Sequence, residues 1–312
     1  MKILFANQKK QSGAVLIIVL WTVLLLSLLL AGYSRNIRVE TGIVRGVIDD
    51  IHLRAMVEGV ASYLAQLNRA DSELLAQLEG SFQEIEIGKK VASFRFIPEE
   101  SYVSLNAAPH DLLQALIEAV AGDEVDAISV ATAIIDWRDP DDLAQEDGAE
   151  NNEYEMAGLK QRPANANFRA VDELAMVLGM TPSLTNRLKP YLSVYSNSTS
   201  VNYNYASGDL LSLLGQASDV ENLESAGIEL GDTLLENSFF SLVSSGTYRL
   251  RLTMPAQGVE RQVAAEVVLS IGGGAITFEE KGSGSLYHIK HWDRYTAHFE
   301  DNEESTGKAG AG

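Results

Sequence analysis

The sequence contains no cysteine, which excludes three kinds of site at once. A disulfide framework, a thiolate zinc site and a cysteine nucleophile all need thiols. Positive charge is also scarce, because 24 lysines and arginines stand against 43 acidic residues and leave a net charge of −19 over 312 residues. Phosphate backbones and anionic lipid head groups repel so acidic a chain. We therefore expect no nucleic-acid partner.

One uncharged apolar run stands out near the start of the chain. Residues 14–33 carry no charged side chain and follow Lys2, Lys9 and Lys10. A helix of about 20 apolar residues is long enough to cross a bilayer, and basic residues before it favour a cytoplasmic N-terminus. The run predicts a single membrane pass, with the remainder of the chain on the far side.

Three interpretations of this run stay open at this stage. A secretory signal peptide would be cut after the run, but the run is long for one and residues 31–34 make a poor site. An uncleaved signal anchor would keep the whole segment. A third type of cleavage falls before the run, after Gly13, and leaves Ala14 as the first residue of a helix that is retained.

The chain after the run changes period several times. Apolar residues recur at three- and four-residue spacings, without proline, from Arg35 to Ala70, which predicts a long amphipathic helix bent or broken at a glycine. Alternating segments at residues 82–97 and 248–271 each predict a β-hairpin. Helical patterns fill residues 106–214, with Asn106 as the expected cap of the first of these helices. The order predicts an α+β fold with a long N-terminal helix packed on an antiparallel sheet and a large inserted α-helical domain.

An acidic segment from Asp136 to Glu155 is the densest group of oxygen ligands in the chain. Hard cations need six to eight oxygens, and a flexible loop can supply them. The spacing is not that of an EF-hand, because Leu143 stands where a ligand is required. A solvated acidic loop is the competing interpretation, and the residues alone do not decide between the two.

Several motifs together resemble the minor pseudopilin K family of type II secretion, also called general secretion pathway protein K. The motifs spread over most of the chain, and two of them, Asp-Trp-Arg-Asp and Leu-Gly-Met-Thr, carry most of the signal. They lie at residues 133–139, 141–142, 148–150, 154, 171–174, 178–181, 188–192 and 201–204, together with the leader that ends at Gly13.

The resemblance implies a pilin-like architecture and a non-catalytic role. The chain would be a minor pseudopilin at the tip of the type II secretion pseudopilus, where it helps to initiate or cap the filament that exports folded proteins. Its bulk would lie in the periplasm, anchored in the inner membrane, with minor pseudopilins I and J as partners. The implied domains are a leader (1–13), a transmembrane segment (14–33), the first part of the head (34–103), an inserted helical domain (104–240), the C-terminal strands of the head (241–298) and a disordered tail (299–312).

The same resemblance assigns a processing site and a cofactor. Prepilin peptidase would cut between Gly13 and Ala14, and methylation of the new N-terminus would follow. Position five of the trimmed chain is then Ile18, where most pilins carry glutamate, which suits a subunit with no neighbour above it. The acidic loop would bind calcium, and the ligands we expect are Asp139, Asp142, Asp147, Glu150 and Asn151.

Two other functions were weighed against this one. Residues 106–109, followed by two short helices, are similar to the helix-hairpin-helix units of DNA-binding proteins. The connecting segment, however, carries Asp123 and Glu124 where phosphate would bind. A metal-dependent hydrolase built on the acidic loop lacks a convincing general base, so we expect no enzymatic activity.

Overall fold

The computed structural model describes residues 12–88, 90–217, 239–256, 262–271 and 287–295. Of residues 12–14, 31–42, 216–217, 287–288 and 294–295 it describes the backbone alone. The predicted tail (299–312) and the first eleven residues of the predicted leader lie outside the described residues.

The described residues form α-helices, β-strands and short 3₁₀ turns. The helices are α1 (Ser12–Ala70), α2 (Ser72–Leu78), α3 (His110–Ala121), α4 (Ala127–Arg138), α5 (Asn151–Met156), α6 (Pro182–Leu188) and α7 (Gly208–Ala217). The strands are β1 (Gln83–Ile87), β2 (Lys90–Pro98), β3 (Val103–Ser104), β4 (Leu192–Ser193), β5 (Val201–Asn202), β6 (Phe240–Ser241), β7 (Thr247–Pro255), β8 (Gln262–Ile271) and β9 (Tyr287–Tyr295).

The long N-terminal helix is continuous. Helix α1 runs for 59 residues through Gly32, Gly42 and Gly46, so of the two expected outcomes, a bend or a break at a glycine, the break is wrong. Each glycine costs helix stability of only about 1 kcal/mol, which a helix of this length tolerates. No helix among the residues searched is both long and apolar enough to count as a membrane span. The predicted span includes residues 14 and 31–33, whose side chains are outside the description.

One five-stranded antiparallel sheet packs on the second half of α1. Its strand order is β1-β2-β7-β8-β9, so both predicted hairpins are confirmed and share one sheet. One face of α1 is buried against the sheet's inner face, and this core excludes water almost completely. The main contributors are Leu53, Val57, Val60 and Leu64 from the helix and Phe96, Leu250, Val267 and Leu269 from the strands. The predicted α+β fold, a long helix on an antiparallel sheet, is confirmed.

A helical block with its own core lies between β2 and β7. Leu112, Leu116 and Ile134 are among its fully buried side chains. Chain entry and exit are neighbours, because Pro98 at the end of β2 pairs with Tyr248 near the start of β7. The block is therefore an insertion between two adjacent strands.

The start of the first helix in this block differs from the expected one. Asn106 does not cap α3, which begins after Pro109. Instead its amide group donates to the carbonyl oxygens of Phe168 and Val194 and accepts from the Phe168 N–H, which joins three loops. The next helix begins at Ala127, where Asp126 supplies the cap, after Gly122 turns the chain at φ 56°.

A buried ion pair connects the sheet to the inserted block. Glu99, fully buried in the 3₁₀ turn after β2, accepts from Arg249 of β7 at 2.5 Å and 3.1 Å. The Ser193 hydroxyl, on β4 of the block, also donates to this carboxylate at 2.5 Å. The Arg249 guanidinium further lies 4.2 Å from the ring centre of Tyr102 and contacts Glu266 at 3.1 Å. The Glu99 carboxylate thus links the sheet to the inserted block.

Candidate metal centre

Helix α4 delivers the first carboxylate of the acidic loop into the interior. Asp136 is fully buried, and its Oδ2 atom accepts from the backbone N–H groups of Ala149 at 2.8 Å and Gln145 at 3.3 Å. Its Oδ1 atom has no hydrogen-bond partner among the described residues. Burial raises the pKa of Asp136, and these two backbone bonds oppose the rise. The loop is therefore folded around Asp136, and the Oδ1 atom of Asp136 is left without a hydrogen-bond partner within the described residues.

Gly148 makes this close approach of loop and helix feasible. A Cβ atom at this position would lie 2.0 Å from Asp136 Oδ2 and 3.1 Å from Thr132 Cγ2. Contacts under 3 Å essentially never occur for real Cβ atoms, so no other residue fits without displacing the buried carboxylate. The glycine in the Gly148–Glu150 motif is thus required for packing.

Glu150 is the second buried carboxylate of the loop. Only 3% of the residue is exposed, and neither side-chain oxygen has a hydrogen-bond partner among the described residues. Burial, and to a smaller extent the nearby carboxylates of Asp136, Asp139 and Asp142, together raise the pKa of Glu150 to about 7. In the absence of a cation, protonation is the least costly way to neutralise the Glu150 carboxylate.

Amide groups organise the outer rim of the loop. Asp142 Oδ1 accepts from Asn151 Nδ2 at 3.2 Å and from Asn165 Nδ2 at 2.9 Å. Asn165 also donates to the carbonyl oxygen of Asp141 at 2.8 Å, and its own Oδ1 is buried without a partner in the described structure. Asp147 stands on the exposed outer turn with φ 64°. The rim thus presents carboxylate, amide and carbonyl oxygens together.

The structure brings four of the five predicted ligands into one neighbourhood. Asp139 has a buried, unpartnered Oδ1, and Asp142, Glu150 and Asn151 interact as described. Asp147 makes none of the hydrogen bonds that hold the described part of the loop together. Two groups were not predicted as ligands, Asp136 and Asn165. Asp136 lies on α4, three residues before Asp139, which caps the end of that helix. This helical spacing puts both side chains on the same side. No sequence pattern marks Asn165.

The arrangement fits a hard cation, but not as a preformed cage. No group of three or more acidic or histidine side chains in the described residues is already arranged as a metal site. The unpartnered buried oxygens nevertheless concentrate here, namely Asp136 Oδ1, Asp139 Oδ1, both Glu150 oxygens and Asn165 Oδ1. Buried carboxylates without partners are costly. Calcium accepts irregular oxygen sets of this kind, and the exposed segment 141–147 can move toward it.

A packed aromatic layer supports the loop from below. Trp137 stacks on Phe168 with ring centres 5.8 Å apart and contacts Tyr154 at 6.4 Å. The Tyr154 hydroxyl accepts from the Leu178 N–H at 2.8 Å. Arg138 donates to the carbonyl oxygens of Leu105 and Ala108. The Asp-Trp-Arg-Asp and Leu-Gly-Met-Thr motifs are therefore neighbours in the fold, joined by Tyr154.

The segment that would bind phosphate in a helix-hairpin-helix unit has another role. Glu124 forms an ion pair with Arg187 of α6, and Gly122 at φ 56° turns the chain between α3 and α4. A cation that pairs with glutamate in this way does not serve a phosphate. Nothing in the described residues favours the DNA-binding alternative.

Comparison with known proteins finds a family model that matches part of the inserted block. The family model described as "Type II secretion system (T2SS), protein K" matches residues 97–197, which contain the acidic loop and both motifs. The resemblance to protein K of type II secretion is confirmed. The protein K match begins two residues before the buried Glu99, and therefore starts where the chain leaves the sheet.

Two curated relatives agree with this match. Type II secretion system protein K of Pectobacterium carotovorum subsp. carotovorum is 30% identical over 97 residues, 31% of this chain and 29% of the relative. The protein of the same name from Klebsiella pneumoniae is 29% identical over 107 residues, 34% of this chain and 33% of the relative. The chain thus spans about a third of the length of the protein K relatives that it matches.

A solved structure is similar at lower identity. It is a chain of the GspK-GspI-GspJ complex from the enterotoxigenic Escherichia coli Type 2 Secretion System, with a TM-score of 0.48 and 14% identity. The similarity covers 78% of this chain and 99% of that chain.

Proposed function

We propose that this protein is a non-catalytic minor pseudopilin of type II secretion. One observation carries the proposal: the segment that matches protein K is inserted between adjacent strands of a sheet that packs on a long N-terminal helix. A long helix with an apolar first half, packed on a sheet by its second half, is the architecture of a filament subunit. The inserted block adds a helical domain to this architecture.

The first half of α1 is the proposed inner-membrane anchor, with the bulk of the chain in the periplasm. Its large apolar side chains from Val15 to Leu30 are all more than half exposed in the isolated chain. So much exposed apolar surface is costly in water. A bilayer or the core of a helical filament would cover it.

Processing of the N-terminus tests this proposal directly. Prepilin peptidase is expected to cut the native protein after Gly13, so that the mature chain begins at Ala14. Replacing the glycine with a larger residue, as in Gly13→Leu, is expected to leave the full precursor, because the peptidase would no longer fit the residue before the cut. Intact mass and N-terminal sequencing of protein from its native membrane provide the measurement.

A variant outside the cleavage site serves as the control for that experiment. Ser12→Ala changes the neighbouring residue and should leave cleavage intact. A wild-type chain that still begins at Met1 would contradict pilin-type processing, whatever the variant shows.

We place the subunit at the tip of the pseudopilus. Ile18 leaves position five of the trimmed chain without the carboxylate that most pilins carry, and an unpaired charge at membrane depth would be costly. The inserted block adds bulk to the head, and such bulk is easier to accommodate at an end than along a shaft. Both features suit a subunit that initiates or caps the filament.

An exposed stripe on α1 is the proposed contact with minor pseudopilins I and J. Ile43, Val47 and Ile51 recur every four residues and lie on one helix face, with Val44 beside them. All four are more than half exposed. The stripe lies just before the part of α1 that the sheet covers. Amphipathic helices of other pilin-like subunits are the natural partners for it.

Placing a charge in the stripe is expected to disrupt this contact. We expect Val47→Asp to reduce co-purification with the host's minor pseudopilins I and J at least about tenfold, because a central apolar contact is typically worth 2 kcal/mol or more. The measurement is affinity purification from membranes that co-express all three proteins. Gln66→Asp introduces the same side chain at an exposed polar position of α1 and should have no effect. Equal recovery of partners with both variants would contradict the proposed surface.

Calcium is the proposed ligand of the acidic loop. Asp136, Asp139, Asp142, Glu150 and the Asn151 and Asn165 amides would hold it, and Asp147 can join from the exposed turn. When bound, the ion would supply positive charge to buried carboxylates that have no cationic partner, and would fasten the loop to α4. We infer a structural role, because the innermost carboxylates of the loop, Asp136 and Glu150, are almost completely buried.

A further inference from the structure

Arg138 ties the end of α4 to the entry segment, which is the stretch of residues 104–109 where the chain enters the inserted block. Its guanidinium donates to two backbone carbonyl oxygens of this segment, at 2.5 Å and 2.7 Å. Arg138 stands between Asp136 and Asp139, the carboxylates that the last turn of α4 and its cap contribute to the acidic loop. Anything that fixes this turn of α4 therefore also restrains the entry segment.

Asn106 extends this connection from the entry segment to two other loops. Its Nδ2 atom donates to the carbonyl oxygens of Phe168 at 3.0 Å and Val194 at 2.9 Å, and its Oδ1 atom accepts from the Phe168 N–H at 2.8 Å. Phe168 also stacks on Trp137, the residue of α4 next to Arg138. One side chain thus holds the entry segment to the aromatic layer below the acidic loop and to the chain at Val194.

The far end of this series of contacts is the joint between block and sheet, made by residues 99–105 and 192–196. Ser193, next to the residue that Asn106 holds, accepts from the Leu105 N–H at 2.8 Å through its carbonyl oxygen. Its hydroxyl donates to the buried Glu99, which pairs with Arg249 of the sheet. A continuous series of contacts thus connects the acidic loop to the sheet, with Asn106 at its centre.

We propose that Asn106 couples the acidic loop to the joint, so that a cation held in the loop tightens the attachment of the inserted block to the head. The inference rests on the calcium site proposed above. Asn106 is a positioning residue in this scheme, because it acts through Arg138 on one side and through Ser193 on the other. It extends the role of calcium from the loop to the connection between the two parts of the protein.

The coupling depends on occupancy because of the buried oxygens in the loop. Asp136, Asp139 and Glu150 each have a buried carboxylate oxygen without a hydrogen-bond partner among the described residues. Burying such groups unpaired is costly, so in EDTA a local opening that gives them water is favoured. A bound cation removes this cost, and the loop and the last turn of α4 open less often. The entry segment then opens less often too, because Arg138 and Asn106 hold it to them.

Hydrogen exchange of the full chain in detergent, with calcium and with EDTA, measures this coupling. The quantity compared is the exchange rate of a segment in EDTA divided by its rate in calcium. With calcium at about 100 times its dissociation constant, we expect a ratio of up to about 100 for residues 136–156 of the wild type. At the joint we expect at least about 5, the lower end of typical coupling between two sites. Residues 262–271 of the sheet should stay near one.

In Asn106→Ala we expect the ratio at the joint to fall to about one, while the ratio at residues 136–156 keeps its wild-type value. A purely structural role of Asn106 would speed exchange at the joint in both solutions and leave the ratio there unchanged. Asn202→Ala is the matched control, because this fully buried asparagine also holds a distant loop, at the Val243 carbonyl oxygen, but lies outside the series. Its ratio at the joint should equal that of the wild type.

Arg138→Lys serves if Asn106→Ala fails to fold, because a lysine lacks the fork that reaches both carbonyl oxygens, and it should also lower the ratio at the joint. A wild-type ratio at the joint in the folded variant would overturn the coupling. So would a wild type in which calcium protects residues 136–156 but leaves the joint near one. Calorimetric titration with calcium tests the site separately: no binding and no protection anywhere would overturn the calcium site, and the coupling with it.

Discussion

In calcium-containing buffer, Gly148→Ala is expected to lower the free energy of unfolding by about 3–5 kcal/mol and to remove most of the stabilisation that calcium provides. The added methyl would lie 2.0 Å from Asp136 Oδ2, and Asp136 is fully buried and cannot retreat into solvent. Overpacking of this kind costs about 1–3 kcal/mol. Losing the Ala149 hydrogen bond leaves a buried carboxylate oxygen unsatisfied for about as much again.

The measurement is thermal or urea unfolding with calcium and with EDTA. For the wild type, calcium at about 100 times its dissociation constant should add about 2.7 kcal/mol. Gly208→Ala is the control, because nothing lies within 4 Å of a Cβ built there and its φ is not positive; it should change little. A Gly148→Ala variant that keeps both its midpoint and the calcium response would contradict the loop geometry.

A second variant separates metal binding from packing. Glu150→Gln preserves shape and should lose the calcium response, but be no less stable than the wild type in EDTA. The pKa of Glu150 is raised to about 7, so its contribution without metal is full below about 4.5 and lost as the pH rises through about 7. Glu155→Gln, an exposed acid on α5, should keep the calcium response.

The second large effect concerns the ion pair between sheet and block. Arg249→Met is expected to destabilise the protein by about 3–5 kcal/mol, the usual cost of removing one partner of a buried pair. Glu99 would remain fully buried with only the Ser193 hydroxyl as donor. The hydrogen bonds at 2.5 Å and 3.1 Å that now join the two side chains would be lost. Urea unfolding measures the loss.

Arg251→Met is the matched control for this experiment. Arg251 contacts Glu266 at 2.7 Å, but more than half of its side chain is exposed, and exposed pairs are typically worth less than about 1 kcal/mol. The double variant Arg249→Met with Glu99→Gln should recover part of the loss, because no buried charge is then left alone. Equal effects of the two arginine variants would show that the Glu99 pair contributes no more than a surface contact.

The regular elements were predictable because their periods are strong. Alternation along residues 82–97 and 248–271 identified both hairpins, and three- and four-residue spacing identified α1. Neither pattern predicts the register of β2 with β7, because that register depends on where the chain leaves the inserted block and re-enters the sheet. Asn106 was misassigned for a related reason: an asparagine before a helix is usually a cap, but here its amide holds loops 62 and 88 residues away.

The acidic loop shows a different limit. Composition indicated where carboxylates gather, but not which of them turn inward. Asp136 and Glu150 are buried because Gly148 lets the loop close on α4, and Asn165 approaches from a distant segment. Irregular backbone has no period from which an inward face can be read.

The insertion between β2 and β7 has a consequence for the order of folding. These strands pair at Pro98 and Tyr248, so closing that pair directly encloses roughly 150 residues and costs about 4–5 kcal/mol of chain entropy. A block that has already folded brings its own ends closer, through the parallel β3–β4 and β5–β6 contacts, and shortens the effective loop. We therefore expect the helical domain to act as a template on which the central strands of the head meet, so that a defect in the block delays the sheet as well.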